Sequence, residues 1–103
     1  MDPAAPRLVM YATSWCADCA RARRFLRAHG VEWREVDVDR DAEADARVQR
    51  LNRGARLLPV LVIGRRRMTA APFEPKRLAR WLVEAGVASR DQLSGAGPSG
   101  PGR

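Results

Sequence analysis

The sequence predicts an α/β domain: a small mixed sheet in the order β-α-β-α-β-β-α, flanked by three helices. Three observations carry this. Short apolar runs of strand length alternate with longer stretches of helical apolar spacing, glycines punctuate the ends of those stretches, and the last two strand-like runs are separated only by a tight turn at Gly64. A chain of 103 residues is one domain's worth, and 46% hydrophobic with 30% charged residues is an ordinary globular balance.

The elements follow in order. Leu8-Val9-Met10-Tyr11 is a compact apolar run fit for a buried strand, stopped by the turn and helix-start residues Thr13-Ser14. From Cys16 to Ala28, Cys19, Ala22, Phe25 and Leu26 recur at helical spacing, with Arg21, Arg23, Arg24 and Arg27 on the other faces and Gly30 as a stop. Trp33 to Asp39 has the period-2 pattern of a second strand. Asp41 caps a helix through Ala42 to Arg53, with Ala44, Val48 and Leu51 on one stripe and Asn52-Arg53-Gly54 closing it. Leu57 to Ile63 is the most apolar run and suits a central strand beginning at or near Pro59, while the basic Arg65 to Thr69 returns as an edge strand. Pro75 opens a last helix on Leu78, Trp81, Leu82 and Ala85 that Gly86 ends. A β-α-β start implies parallel strands, and the later pair adds a hairpin. The ordered domain is expected over residues 7–93. Residues 1–6, with two prolines, read as a flexible lead, and 94–103, with four Gly, two Pro and two Ser, as a disordered tail.

Charge and composition narrow the function classes. The net charge is +7, and every basic residue except Lys76 is arginine. Such a surface favours acidic partners. The arginines lack the interleaved stacking aromatics of single-strand binders, so no nucleic-acid role is expected. No apolar run approaches the ~18 residues of a spanning helix, and no basic-then-apolar leader opens the chain, so no membrane role and a cytoplasmic location are expected. In that compartment thiols stay reduced, and two cysteines three positions apart are catalytic or metal-binding before they are a staple.

Those cysteines are in Trp15-Cys16-Ala17-Asp18-Cys19, where strand one turns into helix one. The free N–H groups and positive dipole end of a first helical turn stabilise a thiolate, the reactive form of cysteine. Cys16 at the helix mouth is therefore the expected nucleophile, and Cys19, one turn inside, the residue that attacks a mixed disulfide on Cys16. Asp18 opposes the dipole, and Arg21, Arg23 and Arg24 act with it. Zinc would need four ligands, and the single histidine, His29, stands ten residues beyond Cys19 at the far end of the same helix. It reads as a helix-end residue. A copper-delivery C-x-x-C or two inert packed cysteines are the alternatives to redox chemistry; the expected site holds no metal. Asp37, Asp39, Asp41, Glu43 and Asp45 read as a solvated loop and first helical turn. Pro59 opens the most buried strand, and a cis bond after Leu58 would turn the Leu58 backbone outward to pair with an extended substrate.

Taken together, Trp15-Cys16-Ala17-Asp18-Cys19 at the end of a first strand, a basic helix, Val36-Asp37-Val38-Asp39, and Leu58-Pro59-Val60 before the next strand resemble the glutaredoxin-like branch of the thioredoxin fold, over residues 7 to about 86. The resemblance implies a thioredoxin-like fold and a thiol–disulfide oxidoreductase acting on protein or mixed disulfides through Cys16 and Cys19, with Tyr11, Trp15, Leu58, Pro59 and Phe73 walling the site. Arg21 and Arg56 would contact an anionic thiol or acidic partner. It implies no metal or organic prosthetic group, only a Cys16–Cys19 disulfide re-reduced by thioredoxin reductase or a low-molecular-weight thiol, and a monomer. The Gly-Gly-x-Asp type motif with which classical glutaredoxins hold glutathione is absent; Thr69 to Lys76 stands in its place. That stretch is similar to the Gly-Phe-x-Pro segment of NrdH-type redoxins at Phe73 and Pro75, with Pro72 for the glycine and Glu74 for the usual basic residue. Trp15 is similar to the residue in thioredoxins and mycoredoxins. The alternative is a non-catalytic module of the same fold, docking an acidic partner through its basic surface.

Overall fold

The computed structural model describes residues 7–93, so the expectations for 1–6 and 94–103 fall outside the described residues. Eight elements follow one another: β1 (Val9–Ala12), α1 (Ala17–Ala28), β2 (Arg34–Asp37), α2 (Ala42–Leu51), β3 (Val60–Ile63), β4 (Arg66–Thr69), α3 (Pro75–Glu84) and a short α4 (Arg90–Leu93). The first seven are the expected ones, in the expected order. The strands form one sheet in the order β2-β1-β3-β4. β1 runs parallel to β2, with Tyr11 opposite Val36, and antiparallel to β3, with Met10 opposite Leu61. β4 pairs antiparallel with β3 through the turn at Gly64 and forms one edge.

Alternation along β1 divides the core. Tyr11 and Val36 share the face that α2 covers, together with Ala44. The other face belongs to α1 and α3: Glu35 of β2 bonds Arg23 of α1. Met10, Leu26, Leu61, Leu78, Leu82 and Cys19 are completely buried. β3 is buried at all four positions, which its unbroken Val60-Leu61-Val62-Ile63 run requires.

The helix ends set the loops. After α1, Gly30 takes φ 68°, the Val31 amide donates to the Leu26 carbonyl at 2.9 Å, and the Gly30 amide donates to that of Arg27 at 3.1 Å. This is the doubly bonded C-terminal motif that glycine favours. α2 ends on the same bonding pattern, the Gly54 amide donating to Gln49 at 2.6 Å, but here Arg53 occupies a left-handed position at φ 57°. Gly54, the next residue, also has a positive φ, at 90°. A side chain at a left-handed φ costs about 1–2 kcal/mol. Arg53→Gly is therefore expected to raise stability by about 1 kcal/mol, read as a higher urea midpoint at unchanged slope.

α4 is the element the hydropathy pattern does not show. It opens on Ser89 and Gln92: the Gln92 amide donates to Ser89 Oγ at 3.0 Å, and the Ser89 amide donates to Gln92 Oε1 at 3.3 Å. Such a reciprocal pair satisfies two orphan amides. Gln92 Nε2 also donates to the His29 carbonyl at 3.0 Å, tying α4 to the end of α1.

Candidate active site

Cys16 is the N-cap of α1, in extended conformation at φ −80° and ψ 122°. The Cys19 amide donates to its sulfur at 3.1 Å, so a thiol group fills the place a serine or aspartate oxygen takes in most helices. The sulfur is partly exposed, whereas Cys19 is fully buried one turn further in. Burial first, then the hydrogen bond to Cys16, push the Cys19 thiol up to about 12, while a backbone hydrogen bond from Thr13 and the charge of Arg23 act the other way. The pair is thus unsymmetrical: one sulfur open at a helix N-terminus, the other protonated inside.

Across from Cys16 lies the Leu58–Pro59 bond, which is cis. Pro59 is fully buried, and the Leu58 carbonyl faces the Cys16 sulfur at 3.7 Å. The sequence leaves the isomer of this bond open, and the cis form is the one that presents the Leu58 backbone at the site. A second cis bond, Ala71–Pro72, precedes Phe73 and was not expected from the sequence.

Trp15 forms the outer wall. It is 67% exposed, its indole Nε1 donates to Asp39 Oδ2 at 2.8 Å, and Arg56 lies over its ring at 6.0 Å. Arg56 in turn bonds Asp39 and, through Nε at 2.8 Å, Asp45. Hydrogen bonds from Arg56 and then Trp15 hold the Asp39 carboxyl below its ordinary value. Arg21 pairs with Asp18 at 2.9 Å. Both arginines proposed as ligand contacts are thus already engaged by carboxylates, and so is the Asp18 charge that would oppose a thiolate.

The remaining expected wall residues have their contacts elsewhere. The Tyr11 side chain points to the α2 face, under Arg47 at 5.7 Å, in a cleft of about 430 Å³ shared with Arg34, Val36 and Arg50. Phe73 packs edge-on against Phe25 with ring centroids 6.1 Å apart. Phe25 is nine residues beyond Cys16, about 13 Å along the axis of α1. The structure brings Cys16 together with Cys19 and Leu58, with Trp15 beside Cys16 in the chain, whereas the contacts of Tyr11 and Phe73 are with Arg47 and Phe25. His29 stacks on Phe25 at 4.5 Å and its Nδ1 meets the Gln92 carbonyl at 3.2 Å, so its ring serves the α1–α4 junction. The acidic run is shared out too, Asp41 capping α2 and Asp39 and Asp45 holding Arg56; among the described residues no group of acids, cysteines and histidine is arranged to hold a metal ion.

Sequence reasoning missed one group. Arg23 donates from Nε and Nη2 to both oxygens of Glu35, the shortest contact being 2.6 Å, and from Nη2 to the Thr13 carbonyl at 2.8 Å. The signal was present as the four-residue spacing from Cys19 to Arg23. Burial pushes the Glu35 carboxyl up, but hydrogen bonds from Arg23 and Trp33 outweigh it and hold the group below its usual range. A carboxyl depressed in the folded state stabilises above its unfolded pKa, near 4.3, and loses that contribution as pH falls through the lower folded value. The urea midpoint of the native protein should therefore exceed that of Glu35→Gln at pH 7, and the gap should close as pH drops below about 4. A gap independent of pH would contradict the pairing.

An α/β sheet whose first helix begins on C-x-x-C, with the open sulfur facing a cis proline, defines the class of thioredoxin-fold thiol–disulfide oxidoreductases. The glutaredoxin family model matches residues 8–68, and the chain belongs to that family. It is 36% identical over 59 residues to a glutaredoxin of Pseudomonas aeruginosa, a match spanning 57% of this chain and 69% of that protein. It is 37% identical over 54 residues to mycoredoxin 1 of Corynebacterium glutamicum, spanning 52% of this chain and 66% of the relative, slightly under two thirds of its length. Among solved structures it is similar to the NrdH-redoxin of Escherichia coli, described as a glutaredoxin-like protein with a thioredoxin-like activity profile, with TM-score 0.58 and 29% identity over 71% of this chain and 91% of that one. A buckwheat glutaredoxin solved with glutathione shares the fold at TM-score 0.61 and 22% identity, over 81% of this chain and 82% of that one. Glutaredoxins are thiol–disulfide oxidoreductases, and among the described residues no helix is long and apolar enough to cross a membrane.

Proposed function

We propose that this protein reduces protein or mixed disulfides by a two-cysteine exchange, carried by the unsymmetrical Cys16–Cys19 pair. The Cys16 thiolate attacks a substrate disulfide R–S–S–R′. A Cys16–S–S–R bond forms, the S–S bond of the substrate breaks, and R′S⁻ leaves and takes a proton. Cys19 then attacks the Cys16 sulfur, expelling RS⁻, and its own proton ends on that thiol. The pair has lost two electrons, and the substrate has gained them as two thiols. The observation that carries this reading is the Cys16 sulfur at the N-cap of α1, partly exposed and bonded by the Cys19 amide, opposite the Leu58 carbonyl.

The exchange needs no metal or prosthetic group, only an external donor to return two electrons to the disulfide. A protein substrate fits this surface better than a small anionic thiol, because Arg21 and Arg56 are both paired while the Leu58 backbone lies at the sulfur, where an extended segment could pair with it. With Phe73 before α3, Pro75 opening it and no Gly-Gly-x-Asp motif, thioredoxin reductase is favoured as donor over glutathione. A cytoplasmic monomer accords with this reading.

The test is a coupled assay on a mixed disulfide, run with thioredoxin reductase plus NADPH, with glutathione and its reductase, and with mycothiol and its reductase. Turnover with the first system is the expected result. Turnover with a low-molecular-weight thiol alone would overturn the donor assignment, and turnover with none would overturn the catalytic reading in favour of a binding module.

A further inference from the structure

Arg23 stands one helical turn beyond Cys19 on the same face of α1, since residues four apart lie one above the other. Its guanidinium is fixed from two sides, by both oxygens of Glu35 on β2 and by the carbonyl of Thr13 just after β1. Arg23 and Thr13 are thus tied together one turn beyond Cys19, with Glu35 as the anchor. The Arg23 side chain is 16% exposed, against 52%, 88% and 32% for the other ion-paired arginines, Arg21, Arg40 and Arg56. A cation this enclosed is screened less than one on the surface.

We propose that Arg23 is the positioning residue of the second exchange step: Glu35 and Thr13 hold its guanidinium behind Cys19, where its charge stabilises the thiolate that must form there. The inference rests on the two-cysteine reading above. The need for it follows from burial. Cys19 is completely buried, which favours the thiol, yet only the thiolate attacks the mixed disulfide on Cys16. The titratable and charged groups bearing on Cys19 are Cys16, the N-cap of α1, and Arg23 within it, with Glu35 acting through Arg23. β1 and β3 carry no charged residue, and the buried residues of α3 are Leu78 and Leu82. Arg23 is thus a cation whose charge opposes burial at the resolving sulfur. In the step itself, the Cys19 proton is lost to solvent, the Cys16–Cys19 bond forms, the bond from Cys16 to the substrate sulfur breaks, and the departing thiolate regains a proton. Arg23 exchanges nothing.

The two steps separate in the reaction of the reduced protein with one equivalent of an aromatic disulfide that releases a coloured thiolate. The first release reports attack by Cys16, the second resolution by Cys19. Arg23→Gln is expected to slow the second phase about tenfold at pH 7 and move its pH profile about one unit to the alkaline side, with the first phase changed less than about threefold. Arg23→Lys, which keeps the charge, should stay within about threefold of the native second phase. Because Arg23→Gln removes the ion-pair partner of Glu35, Arg23→Gln/Glu35→Gln serves where the single variant fails to fold, and should show the same slow second phase. An unchanged second phase, or equal slowing of both phases, in either variant would overturn the role of Arg23. Cys19→Ser should abolish the second phase; its persistence would instead overturn the two-cysteine reading itself.

Discussion

Cys16→Ser is expected to reduce disulfide-reductase turnover to the uncatalysed rate while leaving the fold intact. Serine is among the best N-cap residues, so its hydroxyl will accept the Cys19 amide where the Cys16 sulfur now does at 3.1 Å. The helix start is conserved, or slightly strengthened, and the thermal midpoint should stay at or above that of the native protein. What is lost is the nucleophile. An alcohol does not ionise near neutral pH and cannot carry disulfide exchange, which passes through a mixed disulfide at sulfur. Chromogenic disulfide reduction measured beside a thermal melt checks both halves. Residual turnover well above background in a folded variant would show that another group attacks.

The largest expected effect on stability is at Leu61. It is fully buried in β3, an interior strand, flanked across the sheet by Met10 of β1 and Met68 of β4. Truncation to alanine removes its transfer energy and leaves a cavity that strands fixed on both sides cannot close, so the cost falls in the range of about 2–5 kcal/mol. A domain of this size has roughly 5–15 kcal/mol in total. Leu61→Ala should therefore lower the urea midpoint by a large fraction of its native value and bring the protein near unfolding at physiological temperature. A loss under about 1 kcal/mol would mean that the sheet centre repacks, contrary to the burial of all of β3.

The parts of the molecule set by local pattern were legible. Alternating runs and glycine stops gave seven elements in order, because helix and strand periods and the glycine-terminated ends of α1 and α3 are properties of neighbouring residues. Cys16 and Cys19 were legible for the same reason. The place of Pro59 at the start of the buried β3 was legible from a rule about strands, while the isomer of its bond was not. The errors have separate physical causes. Asn52-Arg53-Gly54 closes α2, but Arg53 shares the positive-φ conformation with Gly54, at 57° and 90°, which the pattern does not show for an arginine. α4 carries its signal in two side chains, Ser89 and Gln92, with no apolar face to reveal it. Tyr11 precedes the motif by five residues, but strand alternation turns its ring to α2. The Trp15–Asp39–Arg56 and Arg23–Glu35–Thr13 groups join residues 10 to 24 positions apart. The packing of α1 on β2 assembles the second group, and the return of the chain after α2 brings Arg56 to the first; no local pattern encodes either.

The central claim is that one sulfur of the pair is the open nucleophile and the other a buried thiol. The most direct test is the time course of alkylation of the reduced native protein by iodoacetamide at pH 7, followed by peptide mass mapping and by residual reductase activity in the same samples. Cys16 is expected to be modified first, Cys19 to be spared until long afterwards, and activity to fall in step with Cys16 modification. Equal labelling of both cysteines in the folded protein, or activity that survives complete modification of Cys16, would contradict it.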